Sequence, residues 1–382
     1  MEMKRKSALF ILVALVLCMT QLCGVALAEQ VADPSPAVYV AQVTANSVVG
    51  VRSSVETWSQ QEGQKVTPVS SGSGVVVKDG GYVLTNYHVV EDCNVFEVLL
   101  PNGEYVEAEL VGSDNTLDIA VLKAQSNELV TCQIGSVSDM LVGSTVVAIG
   151  NPGGETLANT VTQGIISALE RDLDTGSQQR AVSYIQHDAS ISSGNSGGGL
   201  FDYRGRLIGI NTLKYAGSAF SSSTYEGLGF ALPIDTVLPL VEQIIEYGKV
   251  IRPQLGIYTL EWSDGPEDPL DSYPPVSVLV AEVVEGGPAE AAGIQMYDFI
   301  TAIDGERVKS YRELTTVLDQ HEAGDTVTLT VVRYGEEIEN FLSYYYGLTT
   351  DNTAGGIFGL YRTPTLSGYE IVDLQVTLEI MD

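Results

Sequence analysis

The chain has 382 residues, and 49 acidic against 19 basic side chains give it a net charge of −30. The length suffices for two or three domains, each with its own core. The acidic balance speaks against nucleic acid and anionic membrane surfaces as partners.

The N-terminus carries Lys4, Arg5 and Lys6, then an apolar tract over residues 8–18, then Ala26-Leu27-Ala28 before Glu29. A basic start, an apolar stretch and a small-x-small site read as a secretory signal peptide, residues 1–28, cleaved after Ala28. An uncleaved membrane anchor is the alternative. Neither Cys18 nor Cys23 follows the small residue that a lipidation site wants. No later segment is long and apolar enough to span a membrane. The expected location is outside the cytoplasm: periplasm, cell surface or secreted. Export leaves Cys93 and Cys132, and an oxidising compartment permits a bridge between them. Spacing alone does not bring their Cα atoms within bonding distance.

Residues 29–37 are rich in Pro and Ala and read as extended, within a leading segment that runs to residue 54. From there to residue 247, short apolar runs are split by Gly, Asn and Asp: 74–78, 82–85, 95–100, 108–112, 119–123, 145–149, 164–169 and 207–212. Many short strands at this spacing predict an all-β barrel or sandwich. Residues 235–247 then show helical periodicity, with Val237, Leu240, Val241, Ile244 and Ile245 on one face and Gly248 as a stop. Residues 248–253 form a linker.

A second module, residues 254–382, opens on Gln254-Leu255-Gly256-Ile257. It continues with a strand over 278–284, a Gly286-Gly287-Pro288 turn into a short helix, a helix over 311–318 and a strand over 326–334. The Tyr- and Gly-rich residues 336–368 interrupt it before residues 374–380, whose alternation marks a delayed final strand. They read as an insertion in the last hairpin. Tyr344, Tyr345 and Tyr346 within it suit either a contact surface or packing.

Three places carry chemistry. Gly194-Asn195-Ser196-Gly197-Gly198 holds a serine between glycines, which suits a nucleophile that needs room for a carbonyl and convergent backbone N–H groups; taken alone, it is equally a surface turn. The strand at 82–85 runs into His88, and Asp118 stands at the head of an apolar run. A serine hydroxyl needs a base, imidazole suits that task near neutral pH, and a carboxylate fixes its tautomer. Ser196 is thus the expected nucleophile, His88 the general base and then acid, and Asp118 the orienting group. The order His, Asp, Ser matches the chymotrypsin-type double β-barrel, with His88 and Asp118 from the first barrel and Ser196 from the second. His187 adjoins Asp188, whose side chain points the other way in an extended segment, so it reads as structural or solvent-facing. His321 falls in the second module. Metal-ligand spacing, phosphate-cradling loops and cofactor fingerprints are missing, so no metal or cofactor is expected.

Thr85-Asn86-Tyr87-His88-Val89-Val90, Asp118-Ile119-Ala120-Val121-Leu122, Val147-Ala148-Ile149-Gly150-Asn151-Pro152 and the Ser196 loop together resemble the HtrA/Deg (peptidase Do) family of serine proteases, over roughly residues 40–345. The resemblance implies a chymotrypsin-like double-barrel protease followed by a PDZ-like α+β domain. It implies an oxyanion hole from the N–H groups of Gly194 and Ser196, and an S1 pocket flanked by Ile191 and Leu213, which favours small or medium apolar P1 residues. In the PDZ-like module, a peptide C-terminus would add a strand, its carboxylate resting near Gln254, Leu255, Gly256 and Ile257. The implied partners are unfolded protein substrates, C-terminal peptides and other copies of the chain in a homotrimer or a multiple of it. No nucleic acid is implied, and membrane contact only through an uncleaved N-terminal anchor. The loops 171–180 and 215–226 would switch the site between inactive and active forms. One departure stands out: Gly199 occupies a position where the family usually has proline, which is expected to loosen the segment after the nucleophile. A weakly proteolytic holdase or a PDZ adaptor on the same fold is the alternative function.

Overall fold

The computed structural model describes residues 35–59, 63–152, 154–172, 183–212, 227–271, 273–335, 338–339, 341–342, 366 and 368–381. A short helix, α1 (Pro36–Thr44), leads in, where the Pro- and Ala-rich composition read as extended up to residue 37. Proline at its first turn costs no hydrogen bond, because that N–H has no helical partner.

Six strands close the first barrel: β1 (Val48–Ser59), β2 (Gly63–Lys78), β3 (Tyr82–Thr85), β4 (Val95–Leu99), β5 (Tyr105–Asp114) and β6 (Ile119–Ala124), in the order β1-β2-β3-β6-β5-β4. Strand β1 shows no clean alternation in the sequence, and the expected boundary at residue 54 falls inside it. After β3 comes a single helical turn, α2 (Tyr87–Val90).

The second barrel uses β7 (Gln133–Ile134), β8 (Thr145–Gly150), β9 (Thr160–Asp172), β10 (Ser183–His187), β11 (Gly199–Asp202), β12 (Arg206–Thr212) and β13 (Gly229–Pro233). The β11–β12 pairing closes β11-β8-β9-β10-β13-β12 into a ring, with β7 added at the β12 edge. Helix α3 (Ile234–Tyr247) follows and ends at Gly248, as its sequence predicted.

Alternation along the strands explains how these barrels pack. In β2, Val76 faces the first barrel's interior while Val75 and Val77 face the second barrel and α3. In β8, Val146 and Ala148 line the second interior while Val147 and Ile149 face back. Successive side chains point to opposite faces of a strand, so a strand buried on both faces reads as an unbroken apolar run. The layer between the barrels is completed by Ile234, Val237, Val241 and Ile244 of α3.

The C-terminal module is a sheet in the order β14-β15-β16-β18-β19, with β17 on β16. Its strands are β14 (Ile257–Trp262), β15 (Ser277–Val283), β16 (Phe299–Ile303), β17 (Glu306–Arg307), β18 (Thr326–Tyr334) and β19 (Tyr369–Thr377), with helices α4 (Pro288–Ala292) and α5 (Tyr311–Leu318). Strand β14 is an edge. Strand β19 pairs with β18 from Thr326↔Thr377 to Tyr334↔Tyr369, so the last hairpin does enclose the interrupting segment. Within that segment Ile338, Phe341, Leu342 and Leu366 are buried, packed with Trp262, Leu279, Phe299 and Val332 in a second core of the module. Tyr344, Tyr345 and Tyr346 lie outside the described residues, as does the N-terminal segment 1–34.

Candidate active site

Strands β3 and β6 lie side by side, with Thr85 opposite Ala120. His88 follows the end of β3 and Asp118 precedes β6, so the pairing delivers both to one end of the barrel. His88 Nδ1 stands 2.8 Å from one Asp118 carboxylate oxygen and 3.0 Å from the other. The backbone N–H of His88 donates to the same carboxylate at 3.0 Å, and Thr212 Oγ1 of the second barrel donates at 3.3 Å. Asp118 is fully buried, and its charge is met by these donors rather than by water. An Nδ1–H that donates to Asp118 leaves Nε2 as the acceptor, which is the tautomer a general base requires.

Asp118 itself adopts a left-handed backbone, φ 55°. Asn86 Nδ2 donates to its carbonyl at 2.8 Å, and the Asp114 carboxylate accepts from Leu117 N at 3.0 Å. Asp114 is gripped in turn by Arg252 of the linker, at 2.6 and 2.8 Å through two guanidinium nitrogens.

Two consecutive turns hold Ser196. Asn195 N donates to Ser192 O, with Gly194 at the third position and φ 95°; Gly198 N donates to Asn195 O, with Gly197 at the third position and φ 83°. A positive φ at the third position is the mark of a type II turn and favours glycine, so the glycines on either side of Ser196 are required by the backbone. Gly197 has a second constraint, since a Cβ there would stand 2.1 Å from Ser73 O.

Ser73 joins the barrels. Its N–H donates to Ser196 O at 2.8 Å, its Oγ donates to Gly194 O at 2.6 Å, and the same Oγ accepts from Asn151 N at 2.7 Å. Asn211 grips the other side of the loop, taking Gly197 N at 2.9 Å and giving its own N–H to Gly198 O at 2.8 Å and Nδ2 to Gly199 O at 3.0 Å. Ser73, Asn211 and Thr212 carry no role that the sequence reveals, and Asn86 appears there only within its motif; for Ser73 the available signal is Ser71-Gly72-Ser73-Gly74 leading into an apolar strand.

The structure bears on several of the expectations. Gly199 does not loosen its segment: it opens β11, pairs with Ile149 and Ile210, and has its carbonyl held by Asn211. Of the two readings of His187, structural or solvent-facing, burial favours the first: it is fully buried, and burial pushes its imidazole down to about 4. Cys93 and Cys132 are both free thiols and pack in different clusters; burial pushes the Cys132 thiol up to about 12. Gln254 N–H donates to Glu379 O, so of the four expected carboxylate-loop residues it is already engaged. The N–H groups of Leu255 and Gly256 donate to no carbonyl among the described residues. Ile191 packs at the edge of the second barrel's core. Leu213 lies outside the described residues, as do most of loop 171–180 and all of loop 215–226.

Two family models match: a trypsin-like peptidase domain over residues 72–210 and a PDZ domain over residues 253–341. A Serine protease Do-like HtrA of Lactobacillus helveticus is 40% identical over 291 residues, covering 74% of this chain and 70% of its own. The chain belongs to the HtrA family of serine proteases. A probable periplasmic serine endoprotease, DegP-like, of Hahella chejuensis is 37% identical, covering 71% of this chain and 56% of its own length. Among solved structures, the HtrA-type protease AlgW with a decapeptide superposes with a TM-score of 0.67 at 28% identity, over 91% of this chain and 99% of that one. The protein is therefore an HtrA-type serine endoprotease carrying a PDZ domain, on a trypsin-like double barrel.

Proposed function

We propose that this HtrA protease is exported and cleaves unfolded polypeptides after small or medium apolar residues, with Ser196, His88 and Asp118 as its triad. The observation that carries the assignment is the 2.8 Å approach of His88 Nδ1 to a fully buried Asp118 beside the double-turn loop of Ser196. His88 Nε2 takes the Ser196 proton as Oγ attacks the scissile carbonyl carbon. The oxyanion is received by the N–H groups of Gly194 and Ser196. His88 then gives its proton to the leaving amine, and water repeats the sequence on the acyl-enzyme. The family resemblance assigns the S1 flanks to Ile191 and Leu213, and the apolar character of both residues supports Val, Ala and Leu at P1.

Export is supported by the signal-peptide pattern and by the periplasmic relative. Free C-terminal peptides would add a strand to β14 beside α5, with their carboxylate on Leu255 and Gly256 N–H. Assembly as a trimer or its multiple follows from the family resemblance. Wild type and Ser196→Ala, compared on unfolded casein and, in separate samples, for labelling by a serine-directed phosphonate, test the reading. The wild type is expected to label and to cut beside apolar residues; cleavage after Lys or Arg would reject the pocket, and an unlabelled, inactive wild type would reject the enzyme.

A further inference from the structure

His187 is the histidine of the protease that the proposed reaction leaves unused. It ends β10, lies opposite Gly229 of β13 in the ladder and is fully buried. Its ring rests over that glycine, since a Cβ at 229 would stand 2.3 Å from Cε1 and 2.7 Å from Nδ1. Among the described residues neither ring nitrogen has a partner in full hydrogen-bond geometry, although the Asn211 side chain and the Ala189 backbone bear on the ring. A neutral imidazole brings one N–H donor and one acceptor, and leaving both unmet at full burial is destabilising.

Strand β12 offers the complement. Asn211 is buried, and its Oδ1 also reaches no donor, while its Nδ2, N–H and carbonyl all hold the nucleophile loop. The Asn211 side chain and the Ala189 backbone oppose the fall in basicity that burial imposes on His187, as acceptors beside an imidazole N–H do. Asp188 is the one charge that bears on the ring among the described residues, and it is turned to Ile165 N. Strands β9 and β13 set Ile166 and Gly229 opposite His187, and Asn211 of β12 lies opposite Ala231, two residues along β13 on the same face; none of these titrates.

The geometry points to His187 as a positioning residue for the nucleophile loop: its ring N–H donates to Asn211 Oδ1 in the reacting enzyme, keeping that amide turned so that Nδ2 holds Gly199 O. This rests on the reading of Ser196 as nucleophile. An amide has two faces of opposite polarity. With no donor on Oδ1, only the Gly199 carbonyl opposes a half-turn of the Asn211 amide, which would set oxygen against that carbonyl. The strap on the loop would then be lost.

Full-length wild type, His187→Leu, His187→Gln, Asn211→Ala and the His187→Leu/Asn211→Ala double variant decide this, with kcat and KM on a peptide of apolar P1, thermal midpoints and phosphonate titration of active sites. Per titrated site, His187→Leu is expected to lose about tenfold in kcat at nearly constant KM, less than loss of a direct oxyanion donor. The donor-bearing His187→Gln is expected to recover most of it, and adding His187→Leu to Asn211→Ala to cost nothing further. Losses that multiply in the double variant, or equal losses in Leu and Gln, overturn the coupling. If His187→Leu does not fold, His187→Met, unbranched and without a donor, makes the same comparison. Ser196→Ala separates the two levels: if it stays active and labels, the site reading fails and this inference with it; if it is silent, additivity rejects His187 alone.

Discussion

The ring of Phe201 lies where a side chain at Gly199 would have to go. A Cβ on Gly199 would meet Phe201 Cε2 at 2.4 Å and Cζ at 2.5 Å, with Leu207 Cδ1 at 3.0 Å behind them. Both Phe201 and Leu207 are fully buried in the layer between the barrels. The small residue and the large one therefore form a matched pair, and the strand after the nucleophile is filled from two positions away. Gly199→Ala or Gly199→Pro is expected to destabilise the protease by about 1–3 kcal/mol through overpacking. Adding Phe201→Leu should recover part of that loss. Urea unfolding of the single and double variants measures it, and a Gly199→Ala variant as stable as wild type would refute the pairing.

Gly197→Ala tests the loop itself. The new methyl would stand 2.1 Å from Ser73 O at a backbone φ of 83°, so the second turn cannot keep its form. Phosphonate labelling is expected to fall by about a hundredfold or more, the scale on which oxyanion donors act, while far-UV circular dichroism stays near wild type.

His187 makes the fold sensitive to acid. Its imidazole is held at about 4 by burial, against about 6.5 in an unfolded chain. Between those values the unfolded state binds the extra proton. The stability this group supports is therefore complete above about pH 6.5 and is lost as pH falls toward 4, to the extent of about 3 kcal/mol. Unfolding free energies at pH 7.5, 6 and 5 should show the decline, and His187→Gln should flatten it.

The cysteines should stay unpaired. Burial raises both thiols, Cys132 to about 12, so little thiolate forms near neutral pH. Native protein in Ellman's reagent is expected to react slowly at Cys93 and at Cys132 only on unfolding. Mass spectrometry after mild air oxidation should find no Cys93–Cys132 bridge.

Arg252 ties the linker to the turn that carries Asp118. Both partners of the Arg252–Asp114 pair are largely buried, and removing one leaves the other charge without its counterpart. Arg252→Met is expected to cost about 3 kcal/mol and to open residues 248–253 to limited proteolysis. The Arg252→Met/Asp114→Asn double variant should be less destabilised than Arg252→Met alone.

What could be read in the sequence divides along chemical lines. His88, Asp118 and Ser196 stand out because each needs a particular functional group, and the glycines beside Ser196 because a positive φ restricts the choice. The helices at 235–247 and 311–318 and the strand at 326–334 carry strong periodicity, and their bounds agree with the structure to within a residue. Strand β1 escaped because its apolar and polar residues do not alternate. Ser73, Asn211 and Thr212 escaped for a different reason: they act through small polar groups that look like any turn residue until tertiary structure sets them beside the loop. Phe201 filling the space beside Gly199 is likewise a relation between two strand residues, and no single position announces it.

The bonds of Ser73 reach across from the first barrel to the loop of the second, so the form of the serine loop depends on how the two barrels dock. Neither barrel holds a complete site by itself: Ser73 of the first braces the serine loop of the second, and Thr212 of the second reaches Asp118 of the first.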